Sequence, residues 1–161
     1  MTAPAFPFAG LLIAHDASAT DAGRVAELAR TAAEAGASPM VVALAPDVAA
    51  PAGTRVVRTR AHGSAVAALR LGMAQLTNTV ARAVLLVPLR AERTSLLTLL
   101  SLVDAAKRDE QALIALSNAG LDESAVLIPR DAWLDLVTVG ESGMDAVAAR
   151  RRVVRVSAEP G

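Results

Sequence analysis

A three-layer α/β/α sandwich around a mostly parallel, Rossmann-like sheet is the architecture this sequence predicts, from three observations. Short runs of Val, Leu, Ile and Ala recur without polar alternation, as strands covered on both faces require. Between them lie longer segments whose apolar residues return every three or four positions, the period of an amphipathic helix. Gly- and Pro-containing breaks separate the two kinds. One kind follows the other along the 161 residues, the order that crossover helices impose on a parallel sheet.

Gly10-Leu11-Leu12-Ile13-Ala14 is the first strand. The helix after it carries Val25, Leu28, Ala29, Ala32 and Ala35 on one face. Thr20 or Asp21 is placed to cap its start, and Gly36 to end it. Met40 to Leu44 is a second strand and Thr54 to Arg58 a third, across a loop containing Pro46, Pro51 and Gly53. A second helix begins near Ser64 and directs Val66, Leu69, Met73 and Leu76 inward. Ala83 to Val87 is the strongest strand signal. A third helix runs from about Ser95 to Lys107, with Leu96, Leu100 and Val103 inward. Ala112 to Leu116 and Ala125 to Ile128 are further strands. Pro129 to Trp133 opens a short helix in which the Trp133 ring packs as core. Gly143 to Arg150 is another helix, and Val153 to Val156 is a last strand. No repeat or linker interrupts the pattern, so residues 1–161 read as one domain.

Composition narrows the function. At 53% hydrophobic residues the chain has enough apolar surface to order itself. No apolar run approaches the roughly 18 residues of a membrane span, and Met1 to Phe8 has no basic stretch ahead of its apolar residues. A cytoplasmic protein without membrane contact is therefore expected. The absence of Cys removes disulfides, thiolate nucleophiles and the usual structural zinc sites. With a formal net charge of +0 and three aromatic residues, Phe6, Phe8 and Trp133, neither electrostatic attraction nor stacking favours nucleic acid. Arg150-Arg151-Arg152 ends a helix, where cations complement the dipole, and is read as a solvated terminus. The apolar length of Leu96 to Val103 predicts a homodimer that covers it.

The stretch Gly63-Ser64-Ala65-Val66-Ala67-Ala68-Leu69-Arg70-Leu71-Gly72-Met73, then Ala83-Val84-Leu85-Leu86-Val87-Pro88-Leu89, then Leu97 and Leu100, resembles the MobA-like NTP transferases, which attach CMP or GMP to the molybdenum cofactor. In that family a helix carrying Ser-Leu-Arg-x-Gly-Leu feeds a buried strand ending Leu-x-Asp-x-Pro. Arg30 to Val42 is similar to the family's helix, Gly-Ala turn and second strand. Ser124 to Trp133 resembles its Gly-His-Pro-Val-Leu-Phe-x-Arg segment, and Gly140 to Val147 its Gly-Asp-x-Gly-Ala-Arg-x-Leu turn. Val153 to Val156 with Glu159-Pro160-Gly161 is similar to its closing strand and turn. The resemblance implies a sheet of the nucleotidyltransferase type.

It also marks where the chemistry departs. Nucleotidyl transfer needs a triphosphate cradle, Mg²⁺ held by carboxylates and a cation for the leaving pyrophosphate. The family's cradle, Leu-Ala-Gly-Gly-x-Ser-x-Arg-Met-Gly, falls on Ile13-Ala14-His15-Asp16-Ala17-Ser18-Ala19-Thr20, which has no glycine pair and no Arg. The first metal carboxylate falls on Pro88, which has no donor atom. The family's second carboxylate follows the closing strand, in a stretch beyond Gly161. Its Gly-His pair is Glu123-Ser124 here. The resemblance therefore implies a domain without the glycine-rich loop and the metal-binding tail.

Residues just past the carboxyl ends of the strands are the candidate ligand site: His15 and Asp16, then Arg58, Arg60 and His62, then Arg90 and Arg93. Gly63 and Ser64 join them at a helix start, whose N–H groups favour anions. Converging, these would hold a small anion without metal; as ordinary loop residues, Arg90 and Arg93 would pair with Glu92 or Asp16. His15, Asp16 and His62 also have metal-ligand chemistry, but adjacent residues after a strand rarely converge.

Three functions follow. The first is a catalytically degenerate MobA-like module for binding, regulation or assembly, with no catalytic residue and no cofactor. The second is an active nucleotidyltransferase using Mg²⁺ and nucleotide, with Asp16, Asp21 or Glu92 replacing the lost ligands. The third is a nucleotide-binding module resembling universal stress proteins, through Ile13 to Ser18 as a strand ending Asp-x-Ser and Leu136 to Gly143 as a strand entering Gly-x-x-Gly.

Overall fold

The computed structural model describes residues 6–117, 119–139 and 143–157. Gly140, Glu141 and Ser142, and residues 159–161, which carry parts of the resemblance, lie outside the described residues. Seven strands form one sheet: β1 (Phe8–Ala14), β2 (Met40–Leu44), β3 (Arg55–Arg58), β4 (Ala83–Pro88), β5 (Leu113–Leu116), β6 (Val126–Pro129) and β7 (Val153–Val156). Their order is β3-β2-β1-β4-β6-β5-β7. Every pairing is parallel except those made by β6, which runs against both β4 and β5. The helices are α1 (Ala22–Glu34), α2 (Ala65–Ala74), α3 (Leu96–Arg108), α4 (Trp133–Val139) and α5 (Met144–Ala148). The expected three-layer sandwich with a mostly parallel sheet is the fold.

Alternation along each strand divides the core in two. Leu12, Val42, Leu85, Ile114 and Leu127 face the layer of α1 and α3. Leu11, Val41, Val84, Leu113 and Ile128 face the layer of α2, α4 and α5. All ten are buried, which is why the strands read as unbroken apolar runs. Truncating a buried Leu of this kind to Ala costs about 2–5 kcal/mol.

Caps set where the helices begin and end. Ser64 and Ser95 accept hydrogen bonds from the N–H groups of Ala67 and Thr98, at the starts of α2 and α3. Asp21 stands at the start of α1, but its side chain makes no cap bond. Gly36 ends α1 with φ +118, a left-handed conformation that costs glycine little. Gly72 lies where α2 presses on β1; a Cβ there would sit 2.3 Å from a methyl carbon of Leu11.

Three expectations change. The first strand begins at Phe8, earlier than Gly10. In α3 the inward positions are Leu99, Leu102 and Val103, while Leu96 is half-buried and Leu100 is 40% exposed. The Ser95 cap sets where this helix begins, and the packing of Leu99, Leu102 and Val103 into the core leaves Leu100 outward. Residues 136–139, read as a strand in the comparison with universal stress proteins, belong to helix α4. Trp133 and Leu136 enter the core at helical spacing, and the Trp133 indole N–H donates to the Ile128 carbonyl at 3.1 Å.

Candidate functional site

The carboxyl ends of β1, β4 and β5 meet the start of β6 at one edge of the sheet, and there a cavity of about 650 Å³ opens. It lies on the α2 side. Ile13, Leu86 and Pro88 supply its sheet wall, Ala65, Val66 and Leu69 the wall from α2, and Leu121 and Met144 the far side. Val66, expected as core, is half-buried because it faces this space. A second cavity of about 550 Å³ lies beside it, lined by residues 15–19, 45–48, His62 and Gly63. His15 and Asp16 belong to both.

Pro88 ends β4 opposite Ile13 of β1. Its missing N–H would point away from β1, beyond the end of the β4–β6 pairing at Leu86 and Val126, and the contact with β1 continues where Leu89 N–H donates to the Ile13 carbonyl at 3.0 Å. Pro88 therefore lines the cavity wall with a side chain that has no donor atom for a metal. Among the described residues no three His, Asp or Glu side chains converge as metal ligands. His15, Asp16 and His62 do not form such a group.

The expected site residues divide by place. His15, Asp16, Arg90 and Arg93 line the larger cavity, and His15, Asp16, His62 and Gly63 the smaller. Arg58, Arg60 and Ser64 line neither. The Arg58 guanidinium donates to the carbonyls of Ala45, Pro46 and Val48, at 2.9, 3.3 and 2.6 Å, so it ties down the loop after β2. Ser64 is spent as a helix cap. Arg90 meets neither Asp16 nor Glu92 in a hydrogen bond; it grips both carboxylate oxygens of Asp21 at 3.0 and 3.3 Å. Arg24 donates to the Ala91 carbonyl nearby, and the two contacts pin the loop after β4 to the start of α1.

Arg93 is different. No hydrogen bond or ion pair within the described residues engages it, and its φ is +56. His62, at φ +60, is the other non-glycine residue in that region among those described. Both stand on the rims of the adjoining cavities. Backbone held in this sparsely populated region clusters at binding sites.

The spacing arguments missed the third side of the cavity: Ala119, Gly120, Leu121, Asp122, Glu123 and Ser124. Asp122 Oδ1 accepts the Met144 N–H at 3.0 Å and so fixes the start of α5. Gly143, at φ +92, passes so close that a Cβ would lie 3.0 Å from the same carboxylate. The buried Ser124 hydroxyl donates to the Gly120 carbonyl at 2.9 Å. The segment follows the carboxyl end of β5, which runs parallel to β4 and ends at the same edge, and it leads into β6, which turns back antiparallel to both; no local motif announces that course. The cavity wall thus carries four carboxylates, Asp16, Glu92, Asp122 and Glu123, against two guanidiniums, Arg90 and Arg93.

Away from the cavity the basic triplet is neutralised. Arg150 and Arg151 reach Asp135, Arg151 also reaches Asp131, and Arg152 holds Asp109 at 2.6 Å. No helix among the described residues is long and apolar enough to cross a membrane.

No protein-family model and no curated protein matches the sequence. Solved structures do match the fold. The chain superposes on the crystal structure of Rv0371c in complex with manganese, from Mycobacterium tuberculosis H37Rv, with a TM-score of 0.70, 17% identity, and 94% of this chain and 88% of that one covered. A nucleotidyl transferase from Methanothermobacter, Mth528, gives a TM-score of 0.65 at 15% identity, covering 96% and 88%. A 4-diphosphocytidyl-2C-methyl-D-erythritol synthase gives 0.64 at 15% identity, covering 98% and 91%. The fold is that of the nucleotidyltransferases.

Proposed function

We propose that this chain is a catalytically degenerate, MobA-like member of the nucleotidyltransferase fold, kept as a small-molecule-binding module that serves regulation or assembly. The observation that carries the reading is Pro88, on the cavity wall where a metal-binding carboxylate would stand. The loop after β1 supports it. Residues 15–18 enter a single 3-10 turn at Ala19–Asp21 and contain no glycine, so their backbone N–H groups are not presented as a phosphate cradle. The carboxylates present do not fit a divalent ion: Asp122 is committed to α5, Asp21 to Arg90, and no three acids converge among the described residues.

A cavity with this wall orients ligands through its own charges and apolar surface, and no metal-assisted step is assigned to it. The test is release of pyrophosphate from CTP or GTP, with Mg²⁺ or Mn²⁺, by the unmodified protein; manganese is included because the Rv0371c structure is a manganese complex. No release above the uncatalysed rate is expected. Metal-dependent turnover would establish the active-enzyme alternative, with Asp16 or Glu92 as the first ligands to replace.

A further inference from the structure

We propose that the 650 Å³ cavity binds a small zwitterion with an apolar body, its ammonium held by the rim carboxylates and its carboxylate by Arg93. The proposal rests on the reading of the cavity as a binding site and names the class of its ligand.

Asp16 follows β1, Arg93 follows β4 and Glu123 precedes β6, and all three line the cavity; in the sheet β4 lies between β1 and β6. Arg90 is already neutralised by Asp21, and Asp122 already accepts a backbone N–H. Among the described residues no hydrogen bond or ion pair engages the side chains of Glu92, Arg93 or Glu123. The charge left over is thus one guanidinium set among an excess of carboxylates. A bare anion would gain Arg93 but face that excess, and Coulomb repulsion at such a rim exceeds the single attraction. A group carrying both signs satisfies the pattern.

The rest of the wall dictates the body. Ile13, Leu69, Leu86, Leu121 and Met144 give the cavity an apolar lining beside the charged residues, and burying apolar surface against it favours binding. Pockets of roughly 300–1,000 Å³ suit organic ligands of moderate size. His15 adds a polar contact at the mouth shared with the second cavity: its Nδ1 is buried and has no partner among the described residues. The left-handed backbone of Arg93 is held by a loop fastened at both Arg90 and Ala91, so its side chain is presented without further ordering of the backbone.

The test uses probes that share one body and differ in charge: L-phenylalanine, phenethylamine, hydrocinnamate and inorganic phosphate, compared at equal ionic strength by calorimetry and by protein NMR shifts. The zwitterion is expected to bind most tightly, the amine next and the acid least, with phosphate no different from chloride. Arg93→Gln should weaken L-phenylalanine by about two- to fivefold, the value of a solvent-screened charge contact, and not weaken the amine; retained amine binding also shows that the variant is folded. Glu123→Gln should weaken both. Hydrocinnamate or phosphate binding as well as the amine overturns the proposal, as does absence of binding by every probe. Neither result bears on catalysis, and nucleotide turnover would overturn the degenerate reading without changing the order of these probes.

Discussion

Asp21 is the residue on which the loop after β4 depends, and its carboxyl lies below the ordinary carboxylate range. The first cause is the Ser18 N–H, which donates to Oδ2 at 2.9 Å; the Arg90 guanidinium is the second. A depressed value in the folded state means that the unfolded chain binds the proton more readily. The contribution of Asp21 to stability is therefore complete above about pH 4 and is lost as pH falls through the depressed value. Asp109 behaves alike, held down chiefly by Arg152. Asp21→Asn should flatten part of the decline in urea midpoint between pH 5 and 2; an acid limb as steep as that of the unmodified protein would count against the pair. Gly72→Ala is expected to cost about 1–3 kcal/mol, an overpacking effect, because the new methyl meets the buried Leu11 side chain; an unchanged thermal midpoint would show that Leu11 yields freely. Neither partner was legible in the sequence. Asp21 lies 69 positions from Arg90; Glu92 was the natural choice by distance along the chain, and Asp16 because it follows a strand that ends at the same edge.

At the scale of elements, strands were legible because burial on both faces makes them continuous apolar runs, as Ala83 to Val87 shows. Helices were legible where one face is polar. The phase of α3 was not, because Leu96, Leu97, Leu99, Leu100 and Leu102 offer several apolar stripes and packing against the sheet selects one. The selection gives a contrast between adjacent leucines. Leu99→Ala should cost about 2–5 kcal/mol as a cavity in the core, and Leu100→Ala no more than about 0.5 kcal/mol, by urea denaturation; similar losses would mean that the helix is rotated in solution. Leu97, at 63% exposed, and Leu100 remain outside, and we propose that a second copy covers them across a two-fold axis. Light scattering at tens of micromolar should then give twice the monomer mass, and Leu97→Glu should restore the monomer. A monomer before substitution removes the proposal. Helix α4 was misread in one comparison because residues 136–139 have apolar strand-like composition; the fold used Trp133 and Leu136 at helical spacing instead.

For the whole molecule, the sheet order decides what a single substitution can do. The resemblance located Pro88 on the sequence, and the fold places it on the cavity wall, yet a carboxylate there would stand alone. Pro88→Asp is expected to show no metal-dependent pyrophosphate release from CTP or GTP, because one ligand without a cradle cannot orient a triphosphate; measurable release would mean that the rim acids rearrange around the ion. The rim itself was half legible. Residues after β1 and β4 were found because parallel strands end at one edge; Asp122 and Glu123 follow β5, which ends there too, but its direction is set by the reversal at β6 and is written in no local motif.

That reversal has a mechanical consequence. Strands β3, β2, β1 and β4 come from residues 8–88, strands β6, β5 and β7 from residues 113–156, and the two groups share one ladder, in which Ala83, Val84, Leu85 and Leu86 face Pro129, Ile128, Leu127 and Val126. The molecule is two half-sheets joined along a four-pair ladder, and the cavity straddles it, with Leu86 on one bank and Leu121 and Met144 on the other. A ligand seated there touches both banks and acts as a rivet. Because anything that binds only the closed form shifts opening by mass action, occupancy should slow amide hydrogen exchange in β4 and β6 more than in β2, far from the seam. Uniform slowing across the sheet would mean that the halves never part locally and that the protein opens as one unit.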